Sequence, residues 1–531
     1  MEVTLTKIKG IYLIIFSILL FFMNYGLSAS TLRYAVGTEL ETIDPSLASG
    51  VPEHNVLLSL FEGLTSYDPK TSLPEPGVAE KWESNEDATV WRFFLRKNAK
   101  WSDRKPVTAH DFVYGWQRIL DPKTAARYAY YLYGVKNANE YNTGKIKDPE
   151  KIGIKALDDL TLEITLVGPT PYFPKILAHY ATYPLPKAVI KKYGDKWTQP
   201  ENIVSNGPFV LSERILNQHV KVKKNTHYWD SKNVKLDEII FSTIEDKETN
   251  RRQYLSGELD WIDSYSINPQ YVPKYSKRND YHQYIYIGSY FYRFNTTRKP
   301  FSDPRVRKAL SMSIDRKKLA KYITKGTYLP TNAYVPPALD NEYNKEAPQG
   351  LKEDLKAAKE LLASAGFPDG KDFPPFEILY NTLEQHRDIT QAIQQMWRQN
   401  LGIECKLFNQ EWKIYLKSEH TLDYDVARAG WIADFMDPIN FVDMFTSDSG
   451  LNDTGWKNKK YDNLIEKARH TGDSAERNKF LRAAEKILIE EDLPIMPIFF
   501  YTSRNMVSPK VKNWYNNPLD VHPYKHMYIN Q

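Results

Sequence analysis

The chain has 531 residues and one cysteine, Cys405, so no intramolecular disulfide can form. Cys405 lies in the strand-like run Ile403-Glu-Cys-Lys-Leu-Phe408, with no His or Lys in a reactive-looking setting beside it. It reads as a buried inert thiol rather than a nucleophile. Catalytic signatures are missing as well: there is no HExxH, GxSxG, GxxxxGK[ST] or GxGxxG. The 11 His are scattered without metal-ligand spacing, so neither a metal nor a cofactor is expected. Charge of one sign is scarce. Lys+Arg 71 against Asp+Glu 66 leaves +5, with no long basic run, which argues against nucleic acid as a partner. No tandem repeat or low-complexity tract stands out. A hydrophobic share of 42% and a charged share of 26% are ordinary for a soluble globular protein, and the length allows several domains.

Aromatic residues are abundant instead: 36 Tyr and 12 Trp. Such rings offer flat apolar faces with a polar edge, suited to gripping varied ligands, although many also serve as half-buried filler. The N-terminus reads as a secretion signal. Lys7 and Lys9 form a basic start, Ile11 to Phe22 is apolar except for Ser17, and Ser28-Ala29-Ser30 offers a cleavage site, so the mature chain is expected to begin near Thr31. The apolar stretch is short for a membrane span, and no Cys follows it for lipid attachment. The alternative is an uncleaved anchor.

Strands are expected at Leu32–Val36, Val90–Leu95 and Leu160–Leu166, and helices at Pro304–Thr324, Lys352–Ala365, Ile389–Leu401 and Ala475–Glu491. Thr108-Ala-His-Asp111 has the form of a capping box ahead of a helix over Phe112–Leu120. Pro-bearing turns at Tyr183–Pro186 and Leu493–Pro497 are candidate crossovers between lobes. The most informative stretch is Arg428-Ala-Gly-Trp-Ile-Ala-Asp434-Phe-Met-Asp-Pro438. A strand from Tyr424 to Ala429 leads into a lone carboxylate, Asp434. Gly430 is expected to admit another backbone closely, and Pro438 to stop regular structure. A carboxylate in such surroundings is costly unless a cation or several donors meet it. Either it caps a helix or pairs with a structural Arg, or its cation arrives as the amino group of a guest. Asp434 with Asp437 as an acid–base pair is a further possibility that spacing does not establish.

Several blocks occur together: Gly50-Val-Pro-Glu-His-Asn55, Leu60-Phe-Glu-Gly-Leu64, Pro76-Gly-Val-Ala-Glu-Lys-Trp82, Thr108-Ala-His-Asp-Phe-Val-Tyr-Gly-Trp116, Lys196-Trp-Thr-Gln-Pro200, Phe301-Ser-Asp-Pro-Arg-Val-Arg307, Asn409-Gln-Glu-Trp412 and Asp425-Val-Ala-Arg-Ala-Gly-Trp431. In this order they resemble the periplasmic oligopeptide-binding proteins of peptide ABC transporters, from about Leu32 to the C-terminus. The resemblance implies an α/β fold of two hinged lobes with an additional smaller domain: 31–63, 188–287 and 502–531 in the first lobe, 64–187 in the smaller domain, and 288–501 in the second lobe. It implies a monomer that captures short peptides and delivers them to inner-membrane permease subunits, with no catalysis.

By the same resemblance Asp434 receives the peptide α-ammonium. Ser49 to Val51 and Gly430 to Ala433 supply backbone partners, so that the peptide is held as an added strand. Arg428 and His386 meet the peptide carboxylate, with Lys325 the nearest match for a third cation. Tyr128, Tyr286, Trp412, Trp431 and Tyr501 line the site; core packing is their alternative role. There are departures. Gly288 and Ile432 stand where relatives have a cysteine pair, Glu419 where one has Arg, Asp263 where one has Tyr, Ser49 where one has Glu, and Arg104 where Gly is expected. Murein peptides, haem or nickel complexes are alternative cargoes, and a secreted peptide hydrolase is the alternative class. One consequence follows from the single thiol: reductant is expected to leave the melting temperature of the monomer unchanged, as checked by paired thermal scans.

Overall fold

A computed structural model describes residues 30–264, 266–447 and 449–530, with backbone alone for Asn341, Trp412 and Lys413. The proposed signal segment lies outside this set. Among the described residues no helix is long and apolar enough to cross a membrane.

The chain folds as a two-lobed α/β protein organised by one mixed sheet. At one end lie Phe209–Ile215, His219–Lys224 and Glu238–Ser242, then Thr31–Ala35 and Trp261–Ile262. At the other end lie Lys406–Gln410, Glu377–Asn381 and Val426–Ile432. Between them run two long antiparallel strands, Tyr281–Phe294 and Ile495–Val507. Thr31–Ala35 is buried on every second residue and then fully, and it pairs in parallel with Glu238–Ser242, as befits a strand covered on both faces. A separate four-stranded antiparallel sheet is built from Ala79–Ser84, Val90–Leu95, Thr161–Thr165 and Ile154–Ala156. Next to it the capping box forms as expected at Thr108 and Asp111, and the helix it opens begins at Ala109.

The two long strands do not stay in register. Ile285 pairs with Thr502, yet the next pair is Ser289 with Phe500. Residues 286–288 therefore face Tyr501 alone, a bulge of the kind that bends a strand pair. Ile287 is held at the fork: its N–H donates to the Pro518 carbonyl (3.1 Å), and its carbonyl accepts from Ala433 N–H (2.8 Å). Of the Leu493–Pro497 turn, Pro497 sits inside the second long strand opposite Phe291, beside a further irregularity in pairing. Other elements differ in extent. The stretch 304–324 breaks after Met312, because the Asp315 carboxylate accepts from Lys318 N–H (2.9 Å) and restarts the helix. The helix expected from Ile389 begins at Glu384, which brings His386 into its first turn. Cys405 ends just ahead of its strand, half-buried, with burial pushing the thiol up to about 12.

The segment after strand Val426–Ile432 is fixed from both sides. Asp437 accepts two bonds from Arg477 (3.0 and 2.8 Å), and both side chains are almost fully buried. Asp437 is thus a structural anchor and not an acid–base partner of Asp434. Pro438 starts the short helix Ile439–Val442 rather than ending order. Removing one member of such a pair strands the other charge. Asp437→Asn is expected to cost about 3–5 kcal/mol. The double variant Asp437→Asn/Arg477→Met should recover most of it, read from denaturant or thermal unfolding.

Candidate functional site

A cavity of about 320 Å³ opens between the lobes at the bulge. Asp434, Ala433, Val51, Tyr128, Tyr286 and Tyr501 line it, so six of the residues singled out in the sequence converge there. Val51 is the first residue of the helix Val51–Leu60, with Pro52 next, where a missing N–H costs nothing. Ala433 and Asp434 leave the end of Val426–Ile432, and Tyr286 and Tyr501 face each other across the bulge.

Asp434 carries the electrostatic tension of the site. Its Oδ2 accepts from the Tyr130 hydroxyl (3.2 Å), its backbone N–H donates to Asn440 Oδ1 (3.2 Å), and its carbonyl accepts from Tyr131 (3.2 Å). It caps no helix, and no Lys or Arg among the described residues pairs with it. Burial pushes its carboxyl up to about 6, only partly offset by the Tyr130 and Asn440 bonds. His54 and His179 contribute no positive charge to the same cavity wall. Burial lowers both, His54 to about 4 and His179 well below the usual range.

Strand Val426–Ile432 has one filled edge and one largely open edge. Gly430, Trp431 and Ile432 pair with Tyr290, Ser289 and Gly288. On the other side the neighbouring strand pairs only as far as Leu379 with Ala427, which leaves 428–432 free of ladder partners there. The close approach at Gly430 is by side chains rather than backbone: a Cβ would lie 2.5 Å from the Tyr501 hydroxyl and 3.2 Å from Arg428 Nη2. Gly288 sits directly opposite Ile432, and its missing side chain makes room for the Tyr501 ring.

Arg428 stands behind this wall. Its Nη2 donates to Tyr501 Oη (2.8 Å), Nη1 donates to Asn381 Oδ1 (3.3 Å), and the guanidinium lies 4.6 Å over the Tyr290 ring. Its Nε has no partner, and no carboxylate pairs with it among the described residues. His386, 5% exposed, is reached through Tyr290, whose hydroxyl lies 3.3 Å from its Nδ1. Burial first and the Arg428 charge second depress the ring to about 2. The cation expected at His386 is therefore a neutral hydrogen-bonding group as the ring stands. Lys325 lies exposed on a left-handed turn, outside the cavity. Ser49 lies two residues ahead of Val51 and does not line the cavity, and the Trp412 side chain is outside the described set. Trp431 turns to a second cavity of about 570 Å³ beyond Asp434, its Nε1 donating to Asn440 Oδ1 (3.0 Å).

The lobes meet across the Asp434 segment. Besides the two tyrosine bonds, Lys175 Nζ donates to the Met436 carbonyl (2.9 Å), and Tyr172 stacks on Phe435 with centroids 5.3 Å apart. Lining residues not singled out in the sequence include His54 and Arg504, and Tyr130 reaches Asp434 from the second cavity. His54 lies three residues after Val51, hence on the same helix face, which is a signal that could have found it. Tyr130 and Arg504 reach the site only through the tertiary fold.

The raised carboxyl of Asp434 makes a stability statement. Its folded pKa of about 6 exceeds the unfolded value of about 3.9, so the folded protein holds the extra proton between those limits. The cost of the charged form is present above pH 6 and vanishes below pH 4. Without ligand, Asp434→Asn is expected to be more stable than wild type at pH 8, by up to about 3 kcal/mol, and equal to it near pH 4. Paired unfolding curves at the two pH values check this.

The family model described as bacterial extracellular solute-binding proteins, family 5, matches residues 74–453. The periplasmic oligopeptide-binding protein OppA of Salmonella typhimurium is 40% identical over 505 residues, covering 93% of this chain and 91% of that protein. The periplasmic murein peptide-binding protein MppA of Escherichia coli is 39% identical, covering 92% and 91%. The structure of Haemophilus influenzae OppA in complex with RPPGFSPFR superposes with a TM-score of 0.80 at 36% identity, covering 95% of this chain and 99% of that one. The chain belongs to the bacterial extracellular solute-binding proteins, family 5.

Proposed function

We propose that this protein is a periplasmic receptor that captures short peptides by their free amino end, with little preference for side chains, and delivers them to an ABC permease. The observation that carries the proposal is Asp434: a buried carboxylate, at the end of an open strand edge, that the protein supplies with donors but with no cation. A peptide α-ammonium has the missing charge, and its backbone fits the open edge at 428–432 as an added strand, whatever its side chains. At the far end Arg428 is a cation with a spare Nε, suited to a carboxylate, and neutral His386 is positioned to add a hydrogen bond. Tyr128, Tyr286, Tyr501, Trp431 and Trp412 are assigned to the walls around the peptide, with Val51, Ser49, Gly430 and Ala433 along its backbone.

The same reading makes the protein a non-catalytic monomer, exported by a cleaved signal ending near Ser30 and not lipid-anchored. The lobes divide at 287/288 and 501/502, a division supported by the slip in register there. The murein peptide named for the Escherichia coli relative is the alternative cargo within the family.

Calorimetry on four combinations tests the anchor: wild type and Asp434→Asn, each with Ala-Ala-Ala and its N-acetyl form. Each single change is expected to weaken binding at least about 100-fold, consistent with a stranded buried charge. The two together should cost less than the sum. Additive losses would remove Asp434 as the amine's partner. Chromatography of the same mixtures should show intact peptide throughout; progressive cleavage abolished by a site variant would make the protein a hydrolase. With the wild type, affinity for the free-amine peptide should fall as pH drops through about 6, where Asp434 takes up its proton. The N-acetyl form should show no such fall.

A further inference from the structure

Arg504 is a second underused cation in the ligand cavity. It lies on the long strand Ile495–Val507, opposite Gln283 and three residues past Tyr501, and is 8% exposed. Its backbone N–H donates to Ser264 Oγ (2.9 Å). Its guanidinium makes one long bond, Nη1 to the Thr327 carbonyl at 3.5 Å, and that carbonyl already accepts from Thr502 Oγ1 at 2.7 Å. Its Nε is buried without a partner. No carboxylate pairs with it among the described residues.

The other buried arginines are treated differently. Arg293 is held by Glu419 (3.0 Å) and Asp453 (2.7 Å), and Arg477 by Asp437. Arg307 and Arg316 each donate to backbone carbonyls from several nitrogens. An Nε without a partner is shared by Arg293 and Arg477, but among these buried arginines Arg428 and Arg504 alone have neither a carboxylate nor several backbone carbonyls to meet the guanidinium. A simple peptide has only one terminal carboxylate, and the preceding reading gives that to Arg428.

Two carboxylates share the cavity with Arg504 and shape what it can receive. Asp263 accepts from Tyr34 (2.6 Å), and Asp520 accepts from Asn505 Nδ2 (2.9 Å) and lies 3.0 Å from His522 Nε2. With Arg504 present, a ligand anion has one strong fork of donors to meet. Lys247 stands close enough to feel both Arg504 and Asp263, so without Arg504 the wall keeps two carboxylates against one lysine. Charge-assisted bonds to a buried guanidinium are strong, and leaving the guanidinium unmatched is costly.

Resting on the peptide-receptor reading, we propose that Arg504 is a specificity-determining residue that receives a second carboxylate of the ligand, supplied by an acidic side chain. The cavity then favours peptides with Glu or Asp at one position and is permissive elsewhere.

The test uses Ala-Ala-Ala and its nine variants with Glu, Gln or Lys at one position, titrated into the full mature protein. At one position the Glu peptide is expected to bind at least about tenfold tighter than its Gln isostere. Arg504→Gln should erase that ratio and bring the Lys peptide to or above the Glu peptide, the ratio being taken within each variant so that any overall change in affinity cancels. Arg504→Lys should keep part of the preference. A Glu-to-Gln ratio near one at every position in the wild type overturns the inference without needing any variant. A ratio that survives Arg504→Gln overturns it as well. Failure of Ala-Ala-Ala itself to bind the wild type would instead bring down the receptor reading, and this inference with it.

Discussion

An ionised carboxylate enclosed by protein without its own counter-charge is the constraint on which this site depends. Asp434 has a hydroxyl donor in Tyr130 and a rigid backbone, but its neighbours withhold a cation. In the empty protein the group is held at a loss, and a guest bearing positive charge relieves it. The nearby basic groups are arranged so as not to interfere. His54 and His179 are neutral by burial, and Arg477 is paired with Asp437. The strain is local, because the segment that bears it is tied down immediately afterwards at Asp437 and Pro438.

The backbone geometry complements that charge. One strand, Val426–Ile432, ends just before Asp434, and its outer edge has no strand partner from Arg428 onward, the Arg428 carbonyl accepting from the Tyr415 hydroxyl. An open edge inside a protein is ordinarily a liability. Here residues that the expected division puts in the smaller domain, Tyr130, Tyr131, Tyr172 and Lys175, reach over residues 434–436. The same segment supplies a hydrogen bond to Asp434, so on the proposed reading closure and capture act on one side chain.

Much of this was legible in the sequence, though unevenly. The carboxylate in an aromatic run, the capping box at Thr108 and the alternation at Val90–Leu95 are local signals, and the local structure obeys them. The break after Met312 was not legible, because the Asp315 side chain competes with a helical period that otherwise continues. The charge state of His386 was not legible either: its neutrality comes from burial beside Arg428, which only the fold creates. Arg504 and Tyr130 lie in unremarkable stretches and acquire meaning only when strands distant in sequence meet. Gly430 was recognised as a point of close approach, but what approaches is the Tyr501 hydroxyl.

The slip in register at residues 286–288 ties the mechanics of the molecule to its cargo. Three residues on one strand against a single tyrosine on the other give the strand pair slack, at the place where the proposed division between the lobes falls. Tyr286 and Tyr501, the residues at the slack, are also part of the cavity wall. A guest that wedges its side chains against those rings takes up the play in the joint, and a small guest leaves it loose. On the proposed receptor reading, stiffness is thus partly written by what the protein carries. How readily a loaded molecule springs open at its destination becomes a property of the passenger as much as of the vehicle.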